Sequence, residues 1–190
     1  MEIEAVLLTG GASLRMGCDK GEIKIRDKTI AERIVQELRG LGIPITVLGN
    51  RPIEGCRFLK DEEAYAGPAR ALSKFVPEKD YVFVVSCDIP NFDAKLVPFL
   101  YERSMGGDVA IPRVDGELQP LCALYKREAF GILKDLVESG EKRVMGWIKR
   151  LRVKVVEEDE LFENFDPWAI RNINTPEELE HFLSSSSRKR

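Results

Sequence analysis

Glu4-Ala-Val-Leu-Leu-Thr-Gly-Gly11 is the stretch that decides the fold. It is a short run with Glu4 as its only charge, and it ends on two adjacent glycines. A run without polar and apolar alternation reads as a strand buried on both faces, the kind that builds parallel sheets. The glycines open a loop that extends to about Gly21. Ile30, Ile34, Leu38 and Leu41 then recur at helical spacing, and Gly40, Gly42 and Pro44 end that helix. Ile43–Leu48 predicts the second strand, closed by Gly49-Asn50, and Arg57–Leu59 a short third one. Tyr81-Val-Phe-Val-Val-Ser86 is the clearest strand of the chain, β-branched, aromatic and again without alternation.

The remainder continues the alternation of strands and helices. Gly67-Pro68 predicts a helix start, because proline fits the first helical turn. Asp93 is a candidate cap for a helix reaching Ser104, although Pro98 conflicts with an unbroken one. Val109–Ile111 and Leu118–Tyr125 read as strands joined through Asp115-Gly116. Phe130, Leu133, Leu136 and Val137 mark one helix face, Val144–Leu151 a short helix, and Val153–Val156 a strand. Thr175-Pro-Glu-Glu178 is a capping box that starts a last helix. Together these predict an α/β three-layer, Rossmann-like fold with a mostly parallel central sheet. The expected organisation is one domain over residues 1–183 and a low-complexity tail, Ser184–Arg190.

The chain has 190 residues, with 29 Lys and Arg against 32 Asp and Glu, a net charge of −3. That balance argues against a protein that works by neutralising a nucleic-acid backbone. No apolar run approaches the roughly 20 residues that span a bilayer, and Met1-Glu-Ile-Glu lacks the positive charge of a secretory leader. The expectation is a cytoplasmic monomer that engages neither membrane nor nucleic acid. Cys18, Cys56, Cys87 and Cys122 form no C-x-x-C pair, which disfavours structural zinc.

In sheets of this kind ligands bind beyond the carboxyl ends of the strands. The loops after Thr9, Leu48, Leu59 and Cys87 are therefore the places for chemistry. Gly10-Gly11 lets backbone N–H groups approach a phosphate, and Arg15 and Lys20 add cationic donors on the same loop. The loop matches neither G-x-G-x-x-G nor the Walker A spacing, since Cys18 stands where a lysine is required. Asp88 follows the most apolar strand and precedes Ile89-Pro90, where a carboxylate can hold Mg²⁺ or close a turn. Asp61 sits in an acidic run with Glu62 and Glu63, and Asn50 in a common turn dipeptide.

The full string Leu8-Thr-Gly-Gly-Ala-Ser-Leu-Arg-Met-Gly-Cys-Asp-Lys20 resembles the L-x-G-G-x-S-x-R-M-G-x-D-K signature of nucleotidyltransferases that make molybdenum cofactor dinucleotides. The closer resemblance is to the molybdenum cofactor guanylyltransferases. Asp61 with Ala66-Gly67-Pro68, Ser86-Cys-Asp-Ile-Pro90, Glu141-Lys-Arg-Val-Met145 and Asn172-Ile-Asn-Thr-Pro-Glu-Glu-Leu179 resemble further blocks of that family. The resemblance implies transfer of GMP from GTP to a molybdopterin phosphate, with Mg²⁺ and release of pyrophosphate. It implies catalytic roles for Arg15, Lys20 and Asp88, with Asp88 on the metal. It implies a nucleotide site of Leu8, Thr9, Gly10, Gly11, Lys20, Asn50, Asp61, Gly67 and Asp88. Gln119, Arg143, Asn172 and Asn174 fall on its acceptor side. The chain departs from the family at Ala71, where a second glycine is usual, and at Gln119-Pro120, where His-Pro is frequent. Trp147 and Trp168 offer rings that could stack on a pterin or pack internally. Two alternatives stay open: transfer from another nucleotide or to another phosphorylated metabolite, and a nucleotide-binding regulator on the same scaffold.

Overall fold

The computed structural model describes residues 2–9, 23–61 and 66–187. Gly10, Gly11, Arg15 and Lys20 lie outside the described residues. The strands are β1 (Ile3–Leu8), β2 (Lys24–Ile25), β3 (Lys28–Thr29), β4 (Ile45–Gly49), β5 (Arg57–Lys60), β6 (Tyr81–Ser86), β7 (Val109–Val114), β8 (Glu117–Leu118), β9 (Cys122–Lys126) and β10 (Val153–Val156). The helices are α1 (Ile30–Arg39), α2 (Pro68–Leu72), α3 (Leu96–Arg103), α4 (Glu128–Glu138), α5 (Val144–Ile148), α6 (Glu158–Asn164) and α7 (Pro176–Ser187). One sheet runs in the order β10-β7-β9-β6-β1-β4-β5, with β8 paired to β7. Its strands are parallel except for β8 and β9, which run against their neighbours.

β1 lies between β6 and β4, so both its edges are paired and all six of its residues are buried. Side chains alternate between the two faces of a strand. Ile3, Ala5 and Leu7 accordingly join one core with α1 and α3, while Val6 and Leu8 join the other with α2, α4 and α5. Glu4 is the exception inside the run. Its buried carboxylate accepts the backbone N–H groups of Glu78 and Lys79 at 2.5 and 2.7 Å. It thereby stitches the entry of β6 to β1.

Local sequence explains most helix boundaries. Thr29 and Glu32 form a capping box at α1, and Thr175 and Glu178 form the expected one at α7. α3 corrects one expectation: it begins at Leu96, not at an Asp93 cap. Pro98 then falls in the first turn, where a missing N–H costs little. Pro120 interrupts the strand expected over Leu118–Tyr125, which splits into β8 and β9. Asp115 and Gly116 both have positive φ, 52° and 79°, and so close the β7–β8 hairpin. α7 continues through Ser187, so the tail expected from Ser184 is helical at its start.

The edge strand β10 is anchored where it begins. Asp108 accepts hydrogen bonds from the Arg152 guanidinium at 2.6 to 3.2 Å and from its backbone N–H at 2.9 Å. The hydrogen bonds from that guanidinium hold the Asp108 carboxyl down at about 2, against the opposing effect of desolvation. A carboxyl lowered on folding stabilises the protein above its unfolded pKa, and that stability is lost as pH falls through the folded value. The loss falls between about pH 4 and pH 2 and is about 1 kcal/mol, discounted because the Arg152 side chain is largely exposed. Urea midpoints measured across that window should fall more for the wild type than for Asp108→Asn. Parallel curves would mean that the pair adds no stability.

Candidate active site

The parallel register brings the carboxyl ends of four strands level. Leu8 pairs with Leu48 on one side and with Ser86 on the other, and Gly49 pairs with Lys60. Backbone hydrogen bonds carry this order past the strand ends. Thr9 N donates to Leu48 O at 2.9 Å, Asp61 N to Gly49 O at 2.9 Å, and Cys87 N to Leu8 O at 3.1 Å. The loops bearing Leu8, Thr9, Asn50, Asp61 and Asp88 therefore stand along one edge.

Asp88 is half-buried at the end of β6. The Ser86 hydroxyl donates to its Oδ1 at 2.5 Å. The Asp88 carbonyl accepts the Ile173 N–H at 2.7 Å, which ties the late Asn172–Asn174 segment to this strand end. Behind it lies Cys122, whose thiol burial pushes well above its usual range, with a smaller contribution from the Asp88 charge. Burial thus favours the neutral thiol at Cys122. Among the described residues no three His, Cys, Asp or Glu side chains cluster as a metal cage. The donors at this edge are carboxylate oxygens, the set suited to a hard cation held by one or two carboxylates and by substrate phosphates.

Asp61 is less solvated than its acidic run suggests. Its side chain is 14% exposed, and Lys74, just past α2, approaches its Oδ1 at 4.0 Å. Asn50 is exposed in the turn after β4. Gly67 has φ 91° at the start of α2, a backbone conformation that side chains rarely adopt, and a Cβ there would point at the Lys142 carbonyl, 3.9 Å away.

The four residues expected on the acceptor side divide into separate places. Gln119 and Asn172 meet: Asn172 Nδ2 donates to Gln119 Oε1 at 3.1 Å, while the buried Asn172 Oδ1 has no hydrogen-bond partner among the described residues. Asn174 is exposed, and its backbone N–H donates to Glu178 at the start of α7. Arg143 stands apart from this pair. Its side chain is 83% exposed at the start of α5, and its block abuts Gly67 instead.

A model of the MobA-like NTP transferase domain matches residues 5–155. The chain belongs to that family. Relatives over nearly the full length include the probable molybdenum cofactor guanylyltransferase of Clostridium perfringens (strain SM101 / Type A), 31% identical with 94% of this chain and 95% of that protein covered. The probable molybdenum cofactor guanylyltransferase of Pelotomaculum thermopropionicum is 28% identical, with 94% and 91% covered. Among solved structures, molybdopterin-guanine dinucleotide biosynthesis protein A from Archaeoglobus fulgidus superposes with a TM-score of 0.82 at 21% identity. That match covers 97% of this chain and 99% of the other and shows the shared fold.

Within this MobA-like nucleotidyltransferase, two side chains considered for the cleft turn inward. Ala71, on α2, is buried, so its methyl group packs into the core. Trp147 is fully buried, stacked on Tyr125 at 4.4 Å with its Nε1 donating to Ala129 O, and is a core residue. Trp168 is half-buried against Phe182 and His181. Ser86 and Lys74 are site neighbours that sequence reasoning passed over. Ser86 is the one polar residue ending an apolar strand, and that was the available signal.

Proposed function

We propose that this transferase moves GMP from GTP onto the phosphate of molybdopterin. An acceptor phosphate oxygen forms the new bond to the α-phosphorus. The bond from that phosphorus to the bridging oxygen breaks, and pyrophosphate leaves. The observation that carries the reading is the row of Thr9, Asp61 and Asp88 along the carboxyl edge, with the Gln119–Asn172 pair beside Asp88. The names borne by the relatives point the same way.

The attacking oxygen is already anionic, so positioning and charge neutralisation supply most of the catalysis. Asp88 would hold Mg²⁺, which when bound offsets charge on the α-phosphoryl group and the leaving pyrophosphate. Lys20, Arg15 and the Gly10-Gly11 amides are assigned to the phosphates on their sequence pattern. Leu8, Asn50, Asp61 and Gly67 are assigned to the rest of the nucleotide. Gln119 and Asn172 are assigned to the acceptor, and the unpartnered Asn172 Oδ1 is an acceptor atom that a ligand N–H would satisfy. Arg143 and Asn174 are retained there on resemblance.

With Mg²⁺ present, GTP should raise the melting temperature more than ATP, CTP or UTP. Ligand at a hundredfold excess over Kd adds about 2.7 kcal/mol, or roughly 5–10 °C for a chain of this size. Pyrophosphate release with GTP and molybdopterin then tests the reaction itself. A preference for CTP, or release only with a different phosphorylated acceptor, overturns the substrate assignment.

Ser86 restrains one carboxylate oxygen of Asp88, so Ser86→Ala should loosen that carboxylate without removing its charge. The expected result is a rise of roughly tenfold in the Mg²⁺ concentration for half-maximal rate, as for lost outer-sphere partners at other metal sites. Ser86→Thr, which keeps the hydroxyl, should recover most of it. An unchanged Mg²⁺ requirement in Ser86→Ala would remove Ser86 from the site.

A further inference from the structure

A polar cleft of about 180 Å³ lies between α1 and the segment that follows Asp88, lined by Arg33, Gln36 and Glu37 on the helix and Pro90, Asn91 and Phe92 opposite. Arg33 and Glu37 stand four residues apart on one helix face, a spacing at which opposite charges usually meet. Here no ion pair joins them, and Arg33 has no hydrogen-bond or ion-pair partner among the described residues. Its Nε is buried and lacks a hydrogen-bond acceptor. An unpaired buried donor is costly, so it marks a place where a ligand would supply the missing acceptor.

The lining restricts what that ligand can be. A simple anion would meet the Glu37 carboxylate, a simple cation the Arg33 guanidinium, and an apolar group would leave the Nε–H unsatisfied. The group that fits presents an acceptor and donors side by side on one planar edge. A 2-amino-4-oxopyrimidine edge does this: its carbonyl accepts from Arg33, and its N–H groups donate to Glu37. The cleft is also smaller than the roughly 300 Å³ and above of pockets that enclose a whole small molecule. It suits one ring system and not an entire nucleotide. Pro90 is two residues from Asp88, at most about 7.6 Å along the chain. Ile34 and Phe92 belong to the same core as Ile173, which puts the cleft on the layer that carries Asn172.

We infer that this cleft binds the pterin ring of the acceptor, with Arg33 and Glu37 reading its 2-amino-4-oxo edge. The inference rests on the proposed transfer to molybdopterin. Guanine carries the same edge, and the test separates the two. Pterin-6-carboxylate is titrated by its own fluorescence into the wild type, Arg33→Gln and Glu37→Gln, and GTP affinity is measured in parallel by thermal shift. Glu37 is exposed, so its variant keeps the test informative if Arg33→Gln folds poorly. The wild type should bind the pterin, each variant should bind it roughly tenfold more weakly, and GTP affinity should be unchanged. Absent binding by the wild type, binding by both variants as tight as the wild type's, or a loss confined to GTP overturns the assignment. The transfer assay with molybdopterin distinguishes the two failures. Normal acceptor KM in both variants removes the cleft and leaves the reaction standing. Pterin binding through these residues without pyrophosphate release keeps the cleft and removes the reaction.

Discussion

Asp88→Asn should fold as the wild type does and transfer nucleotide at no more than roughly a hundredth of its rate, the scale of loss when one preorganised electrostatic group is removed. The substitution preserves shape and can still accept the Ser86 hydroxyl, but it deletes the charge assigned to the metal. Asp88 is half-buried at a strand end and not in the core, so the melting temperature should hold within about 1–2 °C, in line with a site away from packing. The decisive measurement is initial rate against Mg²⁺ concentration, with GTP and molybdopterin saturating. Near-normal turnover with an unchanged Mg²⁺ requirement would reduce Asp88 to a turn residue.

Trp147→Ala should produce the largest loss of stability. Trp147 is fully buried, stacked on Tyr125 at 4.4 Å and edge-on to Phe130 at 5.5 Å, with its indole N–H bonded to Ala129 O at 2.9 Å. Truncation opens a cavity and removes the indole hydrogen bond to Ala129 O. Such substitutions cost about 3–5 kcal/mol, which for a domain of this length lowers the melting temperature by roughly 10–15 °C. Calorimetry reads the shift directly. A fall of under about 3 °C would mean that α5 does not close the core over β9. The ring and hydrogen-bond partners of Trp147 are Tyr125, Phe130 and Ala129, none of them assigned to the nucleotide, so GTP affinity below the transition should be unaffected.

Some of this architecture was legible and some was not, for identifiable reasons. β1 and β6 are buried on both faces, so their apolar runs named them. The β2–β3 hairpin escaped because two-residue strands carry no period. α6 escaped because it buries only Leu161, which leaves no stripe to find. The reversed direction of β9 is set by tertiary pairing and has no local signature. In the site, Asp88 was readable because a strand end followed by Ile-Pro places it. The meeting of Gln119 and Asn172, 53 residues apart, was not readable as a contact. Arg33 and Ser86 look ordinary in sequence, and only the packing around them shows the unpaired nitrogen and the restrained carboxylate.

The central position of β1 has a consequence in time. The strand is made first, yet its second neighbour, β6, leaves the ribosome roughly 80 residues later, about 4–16 s at the usual pace of synthesis. During that interval an apolar strand has an open edge, the state most prone to pairing with another nascent chain. Glu4 places a charge near the start of the waiting strand and so acts as a gatekeeper against such pairing. The same carboxylate later clamps Glu78 and Lys79, just ahead of β6, so the residue that guards the open edge also helps to close it.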